Sequence, residues 1–181
     1  MRLEDAAAQL CARCGACCSG ALDTFVRLTS EEALGTALRT QVKTIGGRPY
    51  LPLACAFHDA SGCRVYADRP ATCRRFECDA LAQVRAGGPL EPAFSRVDAV
   101  RQSAESLFRL LVDRGWAEPG ESGPAAWERF VRRAHIESDP SFRRTFAELL
   151  LASASHIALV RRHLLRNYQP RFVQLPLIPT R

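Results

Sequence analysis

After Cys78 the chain holds no cysteine, although it runs on to Arg181, and all eight of its cysteines lie before that point. Lysine is almost absent: Lys43 is the single one among 25 basic residues. No apolar run approaches the roughly 20 residues that span a bilayer, so a membrane-spanning helix is not expected. There is no GxxxxGK[ST] phosphate loop, no GxGxxG fingerprint and no GxSxG elbow, which leaves nucleotide-binding and α/β-hydrolase readings without a sequence basis. No closely spaced histidine pair accompanies the cysteines, which excludes a two-cysteine, two-histidine finger. The first residues, Met1-Arg2-Leu3-Glu4-Asp5, place acids where a secretory signal needs positive charge, and the apolar stretch after them breaks at Gln9. A cytoplasmic protein without membrane association is the expectation.

The bulk composition is that of a folded chain. The 181 residues are 47% hydrophobic and 24% charged, enough for one good-sized domain or a small domain with a helical extension. The formal charge of +6 counts every thiol as neutral. Metal-bound cysteines are thiolates, and two zinc ions held by four thiolates each would lower that charge to about +2. The basic residues form no tail in either half, and nucleic acid is not an expected partner.

The cysteines fall as Cys11-x-x-Cys14-x-x-Cys17-Cys18, followed by Cys55, Cys63, Cys73 and Cys78. In a reducing compartment such density points to metal or catalysis rather than disulfides. Two Cys-x-x-Cys steps and a vicinal pair also make a poor disulfide framework, because neighbours that close rarely bridge each other. The Cys-x-x-Cys-x-x-Cys run suits three corners of an iron–sulfur cube and equally suits two thiolates on a tetrahedral zinc. Consecutive side chains point in different directions, so Cys17 and Cys18 are not expected to serve one small ion equally. The spacing does not choose between two four-thiolate centres and one centre with spare thiols, nor between zinc and an iron–sulfur cluster. His58, between Cys55 and Cys63, offers an imidazole for a set of three thiolates and one nitrogen. His156 and His163 are seven residues apart on one helix face and read as core or solvent-facing residues.

The combination Cys11-x-x-Cys14-Gly15-x-Cys17-Cys18 and Cys63-x-x-Tyr66-x-x-Arg69-Pro70-x-x-Cys73-Arg74-x-Phe76-x-Cys78 resembles the YkgJ-type cysteine-cluster family, the CxxCxxCC zinc- or iron-chelating domain, over about Leu10 to Asp79. The resemblance implies metal chelation by these eight cysteines. A related cluster in flagellin lysine N-methylases implies that protein modification is within the family's range. Ala56 and Glu77 stand where the family often has proline. Tyr66, Arg69 and Arg74 belong to the signature, with Arg75 beside them. Guanidinium groups there can offset thiolate charge or hold an anionic group.

Gly87-Gly88-Pro89-Leu90-Glu91-Pro92 is the clearest break along the chain. It separates a cysteine-cluster domain, residues 1–86, from a helical region, residues 93–181, expected to pack on it. In the first part, Thr29-Ser30-Glu31-Glu32 fits a capping box opening a short helix to about Arg39. Val42–Ile45 and Arg48–Leu51 around Gly46-Gly47 read as a hairpin. Pro49 and Pro52 make its second strand an edge at best. Asp68-Arg69-Pro70 reads as a helix start. In the second part, three helices follow. One runs from before Val97 to Gly115, one opens at Pro124, and one of about 25 residues starts at Asp139-Pro140 and carries Phe142 to Leu164 on a helical period. The tail from Gln169 reads as extended. The expected fold is α+β: a small, irregular, metal-stapled unit followed by about three helices. The function classes that fit are a metal-dependent protein-modifying or redox enzyme, a structural zinc module acting on a protein partner, and metal storage or delivery.

Overall fold

The structure, a computed structural model, describes residues 3–29, 35–59 and 61–167. The capping box at Thr29–Glu32 and the extended tail from Gln169 fall wholly or largely outside the described residues.

Helix α1 (Leu3–Cys14) opens the chain. Glu4 and Asp5 in its first turn and Arg13 in its last suit the helix dipole. Ala6, Ala7 and Leu10 are buried on one face. The cysteine spacing does not announce this helix, although the Ala6-Ala7-Leu10 stripe at helical period does. Arg13 forks onto Asp98, with Nη2 to Oδ2 at 2.5 Å, and its guanidinium lies 4.5 Å from the Phe94 ring centre. That contact pins the end of α1 to a later helix.

Strand β1 (Phe25–Arg27), short helix α2 (Thr36–Arg39), β2 (Lys43–Ile45) and β3 (Arg48–Pro52) follow. The β2–β3 hairpin turns at Gly46 and Gly47, as their spacing predicts. The strands form an antiparallel sheet in the order β1-β3-β2. Strand β3 is therefore central, not an edge as Pro49 and Pro52 suggest. The N–H and C=O of one strand residue point to the same side. Pro49 faces β1, where its carbonyl accepts the Leu28 amide at 3.0 Å, beyond the last β1 residue. Pro52 faces the β2 side at a point that β2 does not reach, because β2 starts opposite Tyr50. Each proline thus sits where the ladder requires no donor. Leu28, Leu38 and Leu51 make the sheet's apolar core, with Val26, Phe57, Val65 and Cys55 against it.

A second hairpin, β4 (His58–Asp59) with β5 (Gly62–Cys63), pairs His58 opposite Cys63. Gly62 has φ +106°, and a Cβ there would stand 2.9 Å from the Ala12 Cβ, so the hairpin rests directly on α1. Helices α3 (Ala71–Arg75) and α4 (Asp79–Arg85) complete the cysteine-rich part. Pro70 stands at the N-cap of α3, and the Asp68 side chain makes no cap there.

Helix α5 (Leu90–Asp113) begins within the Gly-Pro break itself, with Pro92 in its first turn. Helix α6 (Gly123–Ile136) is capped by Ser122, whose hydroxyl accepts the Ala125 amide. Asp139 caps α7 (Pro140–Thr145), accepting the Ser141 amide at 2.8 Å. The expected single helix from Pro140 onward is interrupted at Phe146, and α8 (Ala147–His163) continues after it. The break has a packing reason. Phe142 and Phe146 both turn onto Trp116, with ring centres at 6.1 and 5.4 Å, and Phe130 joins them.

Two apolar clusters fill the helical side. Trp127, Phe130, Leu107, Leu111 and Leu149 form one. The other joins Leu10 and Leu22 to Leu81, Val84, Val97 and Leu164, so the N-terminal helix and the later helices share a core. His156 is fully buried at this junction, with Nε2 2.8 Å from the Ala21 carbonyl and Nδ1 2.7 Å from the Ser103 hydroxyl. The neutral imidazole satisfies both, donating from Nε2 and accepting at Nδ1. Burial holds its pKa below the usual histidine value. The fold class is α+β, as expected.

Candidate metal centre

The last turn of α1 sets the first two sulfurs. Cys11 and Cys14 are three residues apart on one face of the helix. Gly15 then takes φ +57°, ends the helix and directs the chain into a tight turn carrying Cys17 and Cys18. Cys55 follows β3, Cys63 lies in β5, Cys73 lies in α3, and Cys78 is the N-cap of α4. Six separate pieces of chain thus bring eight sulfurs to one place. All eight line a single cavity of about 230 Å³, together with His58, Tyr66, Arg69, Arg74 and Arg85. None of the eight is in a disulfide.

The electrostatics of this cavity are dominated by burial and by the crowding of sulfurs. Burial pushes the Cys14 and Cys18 thiols up to about 12, and the deeply enclosed Cys17 thiol well above its ordinary value. Neighbouring sulfurs push in the same direction, because a second thiolate nearby disfavours the first. Two kinds of group oppose them. Backbone amides face sulfur two residues on from the cysteine: Ala16 on Cys14, Phe57 on Cys55 and Ala80 on Cys78, where Leu81 joins it. Each favours a thiolate. Arg69 bears on both Cys11 and Cys18, Arg85 on Cys11, and Arg64 on Cys55.

The signature residues are brought together as well. The Arg69 guanidinium lies 3.5 Å from the Tyr66 ring centre, and its Nε donates to the Tyr66 carbonyl at 2.9 Å. Arg74 Nη1 donates to the Arg69 carbonyl at 2.5 Å. The three therefore brace the loop that leads into α3 while lining the cavity. Sequence reasoning missed Arg85 and Arg64. Arg85 is seven residues from Cys78, two helical turns along α4, and that spacing is a usable signal. Arg64 follows Cys63 and is held by the Ala56 carbonyl at 2.6 Å and by Asp59 at 3.3 Å; nothing in the linear spacing indicates it.

The donor set fits a thiolate-loving metal such as zinc or the iron of an iron–sulfur centre. A second sign of fit is His58. Its ring packs on Gly15, where a Cβ would stand 2.5 Å from Cε1, and its buried Nε2 has no hydrogen-bond partner. A buried ring nitrogen without a partner, on the wall of the cavity the eight sulfurs line, is costly unless a charged group satisfies it. Among the described residues, no three of Cys, His, Asp and Glu already stand as a ready-made ion site. Neutral thiols have no mutual attraction to draw them in.

Residues 10–89 match the family model of the CxxCxxCC domain, described as a "putative zinc- or iron-chelating domain". No curated protein and no solved structure matches the chain. The matched stretch runs from the end of α1 to the residue before α5.

Proposed function

We propose that the segment from Cys11 to Cys78 is a metal-chelating module, and that its metal is structural first. Cys11, Cys14, Cys17, Cys18, Cys55, Cys63, Cys73 and Cys78 are its ligands, for zinc or for an iron–sulfur cluster. The observation that carries this reading is the convergence of all eight sulfurs on one cavity from six pieces of chain. The brevity of the surrounding elements supports the structural role: the strands there have two to five residues. Elements that short do not hold a fold unaided. A bound metal supplies the missing positive charge and cross-links segments far apart in sequence.

The protein's own residues have defined parts. The Ala16, Phe57 and Ala80 amides favour the thiolate form of Cys14, Cys55 and Cys78. Arg69, Arg85 and Arg64 offset the remaining negative charge. In this reading the described helices α5 to α8 make a second unit that shares a core with α1 and α4. Chelation within the cytoplasm, with a protein rather than nucleic acid as substrate or partner, is the setting this reading assumes. No described helix is long and apolar enough to cross a membrane.

A redox or protein-modifying activity is the second reading. It is favoured by the cavity's continuation to Tyr66 and Phe76, each 38% exposed, beside Arg69 and Arg74. These residues would form an entry for a partner's side chain.

Anaerobic purification with metal, sulfide and visible-absorption analysis of one sample tests both readings. Colourless protein with stoichiometric zinc supports the structural role. Iron with sulfide and absorption near roughly 400 nm supports the redox reading. Metal-free protein with all eight thiols reactive and the fold intact would overturn chelation.

A further inference from the structure

The geometry points to two separate four-thiolate centres, one made by Cys11, Cys14, Cys17 and Cys78 and the other by Cys18, Cys55, Cys63 and Cys73, with the Cys17–Cys18 peptide as the boundary between them. This inference rests on the chelation reading and assigns its ligands.

Packing separates the two sets. Cys11, Cys14, Cys17 and Cys78 all lie against the same apolar core, the one shared by α1, α4 and α5. Cys78 opens α4, which packs along α1, so this set bridges two helices. Cys55 instead lies against the core of the β-sheet. Its amide donates to the Cys18 carbonyl at 2.7 Å, and its own carbonyl accepts the His58 amide at 3.1 Å. His58 is the ladder partner of Cys63. Cys73 belongs to α3, which is tied to the sheet by the Thr72 hydroxyl donating to the Arg27 carbonyl at 3.0 Å. Backbone bonds thus link Cys18, Cys55 and Cys63 in succession, and α3 delivers Cys73 to the same side.

The vicinal pair is the hinge of the division. Consecutive side chains leave the backbone in different directions. Cys17 lies against the helical core together with Cys11, Cys14 and Cys78. The Cys18 carbonyl instead accepts the amide of Cys55, on the side of the sheet. Two groups then serve both sets. Arg69 lines the cavity that all eight sulfurs share. His58 packs on Gly15, inside the Cys14–Cys17 loop, from its place opposite Cys63. The first centre clamps helix to helix; the second clamps hairpin, α3 and sheet to the loop after α1.

The test uses the full chain isolated anaerobically with its own metal, compared with Cys14→Ser, Cys73→Ser, the within-set double Cys14→Ser/Cys78→Ser and the cross-set double Cys14→Ser/Cys73→Ser. Native mass spectrometry and metal analysis are the readout. The expected result is two centres in the parent and half the parent's content in each single variant. The within-set double also keeps half, and the cross-set double keeps none. Should a variant fail to fold, the parent loaded with cadmium gives the same answer by NMR: two cadmium resonances, each coupled to the β-protons of the four cysteines of one set. One centre in the parent, or a within-set double that loses both, or cadmium couplings that cross the sets, would overturn the division while leaving chelation standing. A parent without metal would overturn the chelation reading itself.

Discussion

Between Gly15 and Asp79 the described residues make strands of two to five residues and helices of four or five; from Leu90 to His163 the chain makes helices of 24, 14, 6 and 17 residues. The second stretch buries Trp127, Phe130, Leu107, Leu111 and Leu149, with an aromatic group around Trp116. The first has a small apolar core of Leu28, Leu38 and Leu51 beneath its sheet, a few residues such as Ala21 and Leu22 buried against the helices, and a cavity lined by sulfur. One region is held by apolar area; in the reading proposed above, the other is held by metal. Burial of side chains as large as these is worth about 1.5–3 kcal/mol each, so the helices need no staple. The cysteine region has no comparable supply.

The largest expected consequence of that contrast appears on removing metal with a strong chelator under reducing conditions. Amide exchange in β1 to β5 and α3 should accelerate by at least about 100-fold, while α5 and α6 change by less than about 10-fold. Hydrogen-exchange mass spectrometry reads both in one experiment, and equal acceleration in the two regions would erase the distinction. The reverse experiment damages the other side. Trp127 is fully buried, and Trp127→Ala should cost about 3–5 kcal/mol in denaturant unfolding. Metal bound per folded chain should not change.

Between these lies Gly15→Ala. Gly15 holds φ +57° with the His58 ring against it, so a methyl group meets both backbone strain and a clash. A loss of about 1–3 kcal/mol is expected, together with faster loss of metal in a chelator competition. If stability falls and metal retention does not, the loop is not part of the site.

The smallest effect concerns His156. Its pKa is lowered in the folded protein, so the unfolded chain takes up a proton first as pH falls. The linked stability is whole above the ordinary histidine value of about 6.5 and declines as pH drops from there toward the folded value. Both tryptophans, Trp116 and Trp127, lie in the helical region, so fluorescence-monitored unfolding at about pH 7.5 and 5.5 reports on that region. The decline should shrink in His156→Gln.

How far each region was legible in the sequence follows the same division. The helical starts at Pro124 and Asp139-Pro140 and the stop at Gly115 are local signals, and the structure uses all of them. The break at Phe146 was not legible, because it answers to Trp116, thirty positions away. In the cysteine region the Gly46-Gly47 turn was readable, since it depends on two adjacent residues. Strand β1 was not, because three residues carry no period and its partner lies beyond an intervening helix. Pro49 and Pro52 misled for a similar reason: whether a strand tolerates proline depends on where its neighbours begin and end. The cysteines announced a common site by number and spacing, and the structure gathers all eight on one cavity. The division proposed for them was hidden, because it depends on which core each segment packs against.

The central claim is that buried sulfur in this protein exists to hold metal, and metal-edge X-ray absorption on anaerobically isolated protein tests it most directly. The account predicts a first shell made of sulfur, about four per metal at about 2.3 Å. A shell dominated by oxygen or nitrogen, or metal present only at trace level in folded protein, would contradict it.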